Sequence, residues 1–282
     1  MIAILQLIRW KNLVLINICQ VSIVWSIYSL SQITLPIFFY LICTFCFAAS
    51  GNIINDIFDI IPDEINKPHK LIVGTKISIK KSYIAYYTFN IIGLIFVIWA
   101  SLLLNNYIFF IYGVPVILLL YLYSKYLKGV PVVGNILIAC FTSFSLLFFL
   151  ILIPSSLEQK QIIITLALFA FLINWIREII KDIEDVKGDK KANLNTLPIL
   201  IGTKRTSNIA RIITFFSLLF LMILLYLSDK ILFKIYILIT LILPLSYIFI
   251  ILKKSQKKHD FSKISKILKF IIAFGIFTIL FT

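Results

Sequence analysis

Long apolar runs, rarely broken by charge, fill most of this sequence and limit what it can fold into more than any motif does. Of its 282 residues 61% are hydrophobic, and the mean hydropathy is +1.04. A soluble globule carries an apolar share nearer half. A helix that crosses a bilayer needs about 20 mostly apolar residues, and the runs here have that length. The sequence therefore predicts an all-α polytopic membrane protein. Nine spans are expected near residues 12–30, 35–55, 83–104, 107–124, 132–153, 161–180, 208–227, 231–252 and 264–281, arranged around a central cavity. No Pro-rich or Gly/Ser-rich linker divides the chain, so residues 1–282 read as a single domain.

Arg9 and Lys11 interrupt the first run early, and the apolar stretch after them is longer than a signal core. It reads as a span rather than a cleaved leader. With the N-terminus inside, 24 of the 27 basic residues fall on the inner side, and only Lys160, Lys230 and Lys234 fall outside. That imbalance orients the chain by the positive-inside rule. It places the protein in the cell's inner (cytoplasmic) membrane as a multi-pass protein with its inner segments facing the cytoplasm. The net charge of +15 then reflects topology and attraction to anionic membrane lipids and substrate. So few residues lie outside the spans that no nucleic-acid module has room to fold, and no protein partner is implied. Cys19, Cys43, Cys46 and Cys140 all lie in apolar runs and read as packing thiols.

Nine of the twelve acidic residues fall in two clusters, each at the end of an apolar run. The first is Asp56, Asp59, Asp63 and Glu64; the second is Glu178, Asp182, Glu184, Asp185 and Asp189. Carboxylates at a membrane boundary are costly unless compensated, so they mark a site. Asn55, Asp59 and Asp63 step by four and stack along one helical face. Such hard oxygens suit Mg²⁺, which takes few protein ligands and completes its shell with water and phosphate oxygens. Pro62 disturbs the helix between Asp59 and Asp63. Lys67, His69 and Lys70 follow as donors for diphosphate oxygens.

In the second cluster Arg177, Lys181, Asp185 and Asp189 also step by four, Asp182 lies a turn before Asp185, and Gly188 would loosen the helix. A solvated acidic loop accounts for the first cluster alone, and an i,i+4 charge ladder for the second. Both clusters lie on one side, in cytoplasmic motif loops after spans two and six, in matching places of two possible four-helix halves. Facing each other, they would hold two Mg²⁺ ions bridged by a diphosphate. A cation-coupled transporter would instead place such carboxylates near the bilayer midplane.

These motifs resemble those of the UbiA superfamily of intramembrane prenyltransferases. Asn55-x-x-x-Asp59-x-x-x-Asp63 is similar to its first signature and Asp185-x-x-x-Asp189 to its second. Lys181 keeps the lysine of the longer second motif, Arg177 stands where tyrosine often sits, and Tyr123-Ser124-x-x-x-Lys128 follows span four. The resemblance implies Mg²⁺-dependent transfer of a prenyl group from an isoprenyl diphosphate. It implies metal ligation by Asn55, Asp59, Asp63, Asp185 and Asp189, with the four aspartates and Lys181 in the catalytic set. It also implies substrate contacts from Lys67, Lys70, Lys128, Arg177, Lys181 and Asp182. The second motif is most similar to the ether-lipid branch, whose acceptor is the hydroxyl of geranylgeranylglyceryl phosphate. The alternative acceptor is aromatic, such as 1,4-dihydroxy-2-naphthoate or 4-hydroxybenzoate in quinone synthesis.

Overall fold

The computed structural model describes residues 2–29, 32–255 and 257–281, and among these it is helical without a named strand. Leu30, at the end of the first expected span, lies outside the described residues. In chain order the helices are α1 (Ile2–Leu7), α2 (Trp10–Ile27), α3 (Leu35–Phe58), α4 (Ile60–Asn66) and α5 (Ile79–Leu103). Next come α6 (Ile108–Lys125), α7 (Val133–Leu147), α8 (Phe149–Leu152) and α9 (Leu157–Lys191). The chain ends with α10 (Leu197–Ile201), α11 (Thr203–Leu227), α12 (Ile231–Ile237), α13 (Leu243–Leu252) and α14 (Lys258–Phe277).

Eight helical segments among the described residues are long and apolar enough to cross a bilayer. The shorter apolar stretch Tyr112–Lys125 lies in α6. Large apolar side chains cover the outside: Trp25, Ile91, Leu102, Phe216 and Ile250 are all more than half exposed. Water does not tolerate such a continuous surface, whereas lipid does.

Local chemistry explains where helices start and bend. Ser156 caps α9 by accepting from the Gln159 N–H, while the Gln159 side chain accepts from the Ser156 N–H. Pro244 lacks an N–H, and the chain takes up the defect as a π turn over Leu238–Ile242 between α12 and α13.

Helix α9 organises the bundle. At 35 residues it is about 52 Å long, well beyond the roughly 30 Å of hydrocarbon. Its first half shares a core with α2, α3 and α7 through Ile163, Leu166 and Ala167. Its second half shares another with α11, α13 and α14 through Ile176, Ile179 and Ile180. A third core, around Leu13, Ile53, Ile54, Ile57 and Val73, anchors α1 and the end of α3. The end of α9 therefore stands past the apolar zone, where α4 packs against it.

The expected span at 161–180 is thus the middle of a longer helix. A loop was expected to carry the second acidic cluster, but the helix continues through Gly188 to Lys191. The four cysteines are free thiols, and three of them are buried, as packing residues should be.

Candidate active site where α4 meets α9

Pro62 does interrupt the first motif. Helix α3 stops at Phe58, Asp59 stands at the junction, and α4 restarts at Ile60. The spacing survives the break because the Asp59 N–H donates to the Asn55 carbonyl and the Asp63 N–H to the Asp59 carbonyl. The Asn55 amide nitrogen donates to Asp59 Oδ2 at 2.5 Å, so its nitrogen, not its oxygen, faces that carboxylate. Lys128, from the turn after α6, pairs with the same Asp59 oxygen.

Two contacts carry the first motif onto the second. Lys67 Nζ lies 2.6 Å from Asp185 Oδ2. The buried side chain of Asn66 spans the α9 backbone, donating to the Asp185 carbonyl at 2.7 Å and accepting the Gly188 N–H at 3.0 Å. Lys258 Nζ donates to the Asn66 carbonyl at 2.8 Å, which brings α14 to the same place. Gly188 makes this approach sterically possible. A Cβ there would stand 2.3 Å from both Asn66 Nδ2 and the Pro62 carbonyl. The glycine expected to loosen the helix instead lets α4 lie against it.

The two motifs therefore meet across the α4–α9 contact, where Lys67 bridges to Asp185, while Lys128 pairs with Asp59 from the turn after α6. Asp189 is buried. Asp185 Oδ1 is a buried oxygen with no hydrogen-bond partner. Burial, and beyond it Asp59, raises the Asp63 carboxyl above the ordinary carboxylate range. For Lys67 burial disfavours the charge, but Asp185, with Asp63 and Glu184, outweighs it and holds the ammonium above the usual value. Burial opposes charge at Lys128 too, and there Asp59, helped by Asp189, prevails. Both lysines are fixed cations facing carboxylates.

Other expected site residues are placed differently. Arg177 and Lys181 do not pair with Asp185; both bind Glu178, at 2.9 Å each. Glu178 sits between them on α9, whereas Lys67 reaches Asp185 from outside the helix. Asp182 Oδ2 accepts from Asn135 Nδ2 of α7 at 2.8 Å. Lys70 ends an exposed 3-10 turn, Pro68–Lys70, and makes none of the ion pairs among the described residues. Among the described residues no three His, Cys, Asp or Glu side chains converge as a ready-made metal site. Asp59 and Asp185 are neutralised by lysines instead.

Arg9, Asn66, Asn135 and Lys258 join the site without having been singled out for it. Arg9 pairs with Asp56 at 2.6 Å. Nothing in the sequence singles out Asn66; Gly188 is the one available signal, since a glycine inside a helix costs about 1 kcal/mol and so suggests a close neighbour without naming it.

A multi-pass bundle with two facing aspartate motifs at one end defines a membrane-embedded enzyme class. Residues 18–274 match the UbiA prenyltransferase family, and the chain belongs to that family. It is similar to the digeranylgeranylglyceryl phosphate synthase of Methanosphaera stadtmanae, at 33% identity over 235 residues, 81% of this chain and 80% of that one. The enzyme of the same name from Saccharolobus solfataricus is 34% identical over 224 residues, 78% of this chain and 77% of that one. A solved structure described as digeranylgeranylglyceryl phosphate synthase in membranes superposes with a TM-score of 0.71 at 31% identity, over 99% of this chain and 96% of that one. A UbiA homolog from Archaeoglobus fulgidus, solved with GPP and Mg²⁺, shares the fold at a TM-score of 0.64 and 18% identity, over 99% of each chain. The chain is a multi-pass integral membrane prenyltransferase.

Proposed function

We propose that this enzyme transfers a geranylgeranyl group from its diphosphate to the free hydroxyl of geranylgeranylglyceryl phosphate. The carbon–oxygen bond to diphosphate breaks, an ether bond forms, and the acceptor hydroxyl loses its proton. The observation that supports this reading is the α4–α9 contact, where Lys67 from the end of α4 pairs with Asp185 while Lys128 pairs with Asp59. The relatives named digeranylgeranylglyceryl phosphate synthase support the choice of donor and acceptor.

The donor set fits Mg²⁺. Asp59, Asp63, Asp185 and Asp189 offer hard oxygens, Asn55 lies beside them, and the buried Asp185 Oδ1 lacks a partner. Bound by these residues, Mg²⁺ would neutralise the departing diphosphate. Lys67 and Lys128 hold the carboxylates in place and are the ammonium donors for the diphosphate oxygens. Because they are fixed before substrate arrives, little reorganisation is needed as charge develops on the leaving group. The aspartates and Lys181 form the catalytic set, with Lys70, Arg177 and Asp182 around the substrates. The basic residues of the α9 end, Lys187, Lys190 and Lys191, support a cytoplasm-facing site in the inner membrane, and the fourth apolar run at α6 supports nine spans.

The test is an acceptor screen. Purified protein with geranylgeranyl diphosphate and Mg²⁺ receives geranylgeranylglyceryl phosphate, 1,4-dihydroxy-2-naphthoate or 4-hydroxybenzoate, and products are read by mass. Product from the glycerol phosphate alone is expected. Product from an aromatic acceptor alone would overturn the assignment.

A further inference from the structure

Two cations share one buried carboxylate on α9, and two more stand on the α2 and α14 helices beside it. Arg177 Nη1 and Lys181 Nζ both donate to the buried Glu178. Lys181 is in electrostatic reach of Arg177. Lys269 of α14 is in reach of Arg177 and of Lys11 at the start of α2, and its Nζ donates to Asn12 Oδ1 at 2.6 Å. Arg9 borders the group but is held by Asp56 and faces Asp59 and Asp63. Asp182, which also faces Lys181, is held by Asn135. With Lys128 also facing Glu178 and Asp182, cations outnumber carboxylates here, and the excess positive charge suits a phosphomonoester. The Arg177 Nε–H is buried with no hydrogen-bond partner, an unused donor inside this group.

The same three helices line an apolar cavity one or two turns deeper. Its walls include Leu15 and Cys19 of α2, Phe169 and Ala170 of α9, and Ile272 and Ile276 of α14. Lys11 lies one turn from Leu15, and Lys269 just under one turn from Ile272. Cations a turn or two from an apolar cavity of about 70 Å³ match an ionised lipid head with the first carbons of its tail seated below it. Lys11 and Lys269 are exposed, while Arg177 and Lys181 are half-buried, so the group opens at its rim.

We propose that Lys11, Arg177, Lys181 and Lys269 form a second anion site, which takes the phosphomonoester head of the acceptor lipid. The inference rests on the glycerol-phosphate reading above. The site adjoins the diphosphate site, whose cations are Lys67 and Lys128 on Asp185 and Asp59, with Lys128 also facing Glu178. Arg177 precedes Asp185 by eight residues, about 12 Å along the helix. A phosphate four bonds from an attacking hydroxyl, with that oxygen about 3 Å from the prenyl carbon, falls roughly 10 Å from the leaving diphosphate. The two anion sites are spaced for one reacting pair.

The test uses purified protein in a zwitterionic detergent, so that no anionic lipid contributes. Geranylgeranyl diphosphate is the donor, and the acceptors are geranylgeranylglyceryl phosphate and its dephosphorylated alcohol. Lys11→Gln and Lys269→Gln should each raise KM for the phosphorylated acceptor about tenfold or more. They should shrink its advantage over the alcohol by the same factor, with donor KM changed by less than about twofold, and Lys269→Arg should restore most of the loss. Unchanged acceptor KM, a parallel rise in donor KM, or equal losses with both acceptors would overturn the second site while leaving the reaction assigned. No turnover of the phosphorylated lipid by the unmutated protein would overturn the reaction and the site together.

Discussion

Gly188→Ala is the most direct test of the α4–α9 contact. A Cβ at this position would meet Asn66 Nδ2 and the Pro62 carbonyl at 2.3 Å, where ordinary contact begins near 3.4 Å. Neither neighbour can swing aside. The Pro62 oxygen is backbone, and the Asn66 amide is pinned at both ends by the α9 backbone. Helix α4 must therefore move by about 1 Å away from α9. Overpacking of this kind costs about 1–3 kcal/mol, against about 1 kcal/mol gained by alanine's better helix propensity. The net destabilisation is about 0–2 kcal/mol, a small shift in melting temperature for a bundle this size. Activity should respond far more, because a displacement near 1 Å in a reacting constellation costs roughly 100-fold. The assay is single-turnover prenyl transfer beside thermal unfolding followed by tryptophan fluorescence. A variant with unmutated kcat and an unchanged Mg²⁺ requirement would refute the argument that these helices must touch here.

Asp59→Ala and Asp185→Ala should each remove prenyl transfer, to less than about one part in a thousand by the scale of lost electrostatic stabilisation. Both proteins should still be recovered folded from membranes; full activity in either removes that residue from the mechanism. Treatment with EDTA should stop turnover, and added Mg²⁺ should restore it. Continued product formation after thorough chelation would contradict the metal assignment.

Much of the site was legible because helical period and charge are local properties. Asn55, Asp59 and Asp63 keep their step of four, even across the break at Pro62, because the i to i+4 hydrogen bonds persist. Asp185 and Asp189 share a face for the same reason, on an unbroken α9. The partners of these groups were not legible. Lys181 lies one turn from Asp185, yet it binds Glu178, and Lys67 reaches Asp185 from 118 positions away. Asn66 and Asn135 gave no periodic signal, since a lone amide declares its role only through what it faces.

The amino-acid order by itself determined that this chain is a helical membrane protein with two oxygen-rich motifs at one end. Hydrocarbon demands long apolar helices, and carboxylates are too costly there to be placed at random. Only the tertiary structure decided which cation answers which carboxylate, that Gly188 admits α4, and that Lys269 of α14 meets the start of α2 at Asn12. Those pairings depend on how distant segments pack. A few ångströms between helices change which charges meet, and no spacing along the chain encodes that distance.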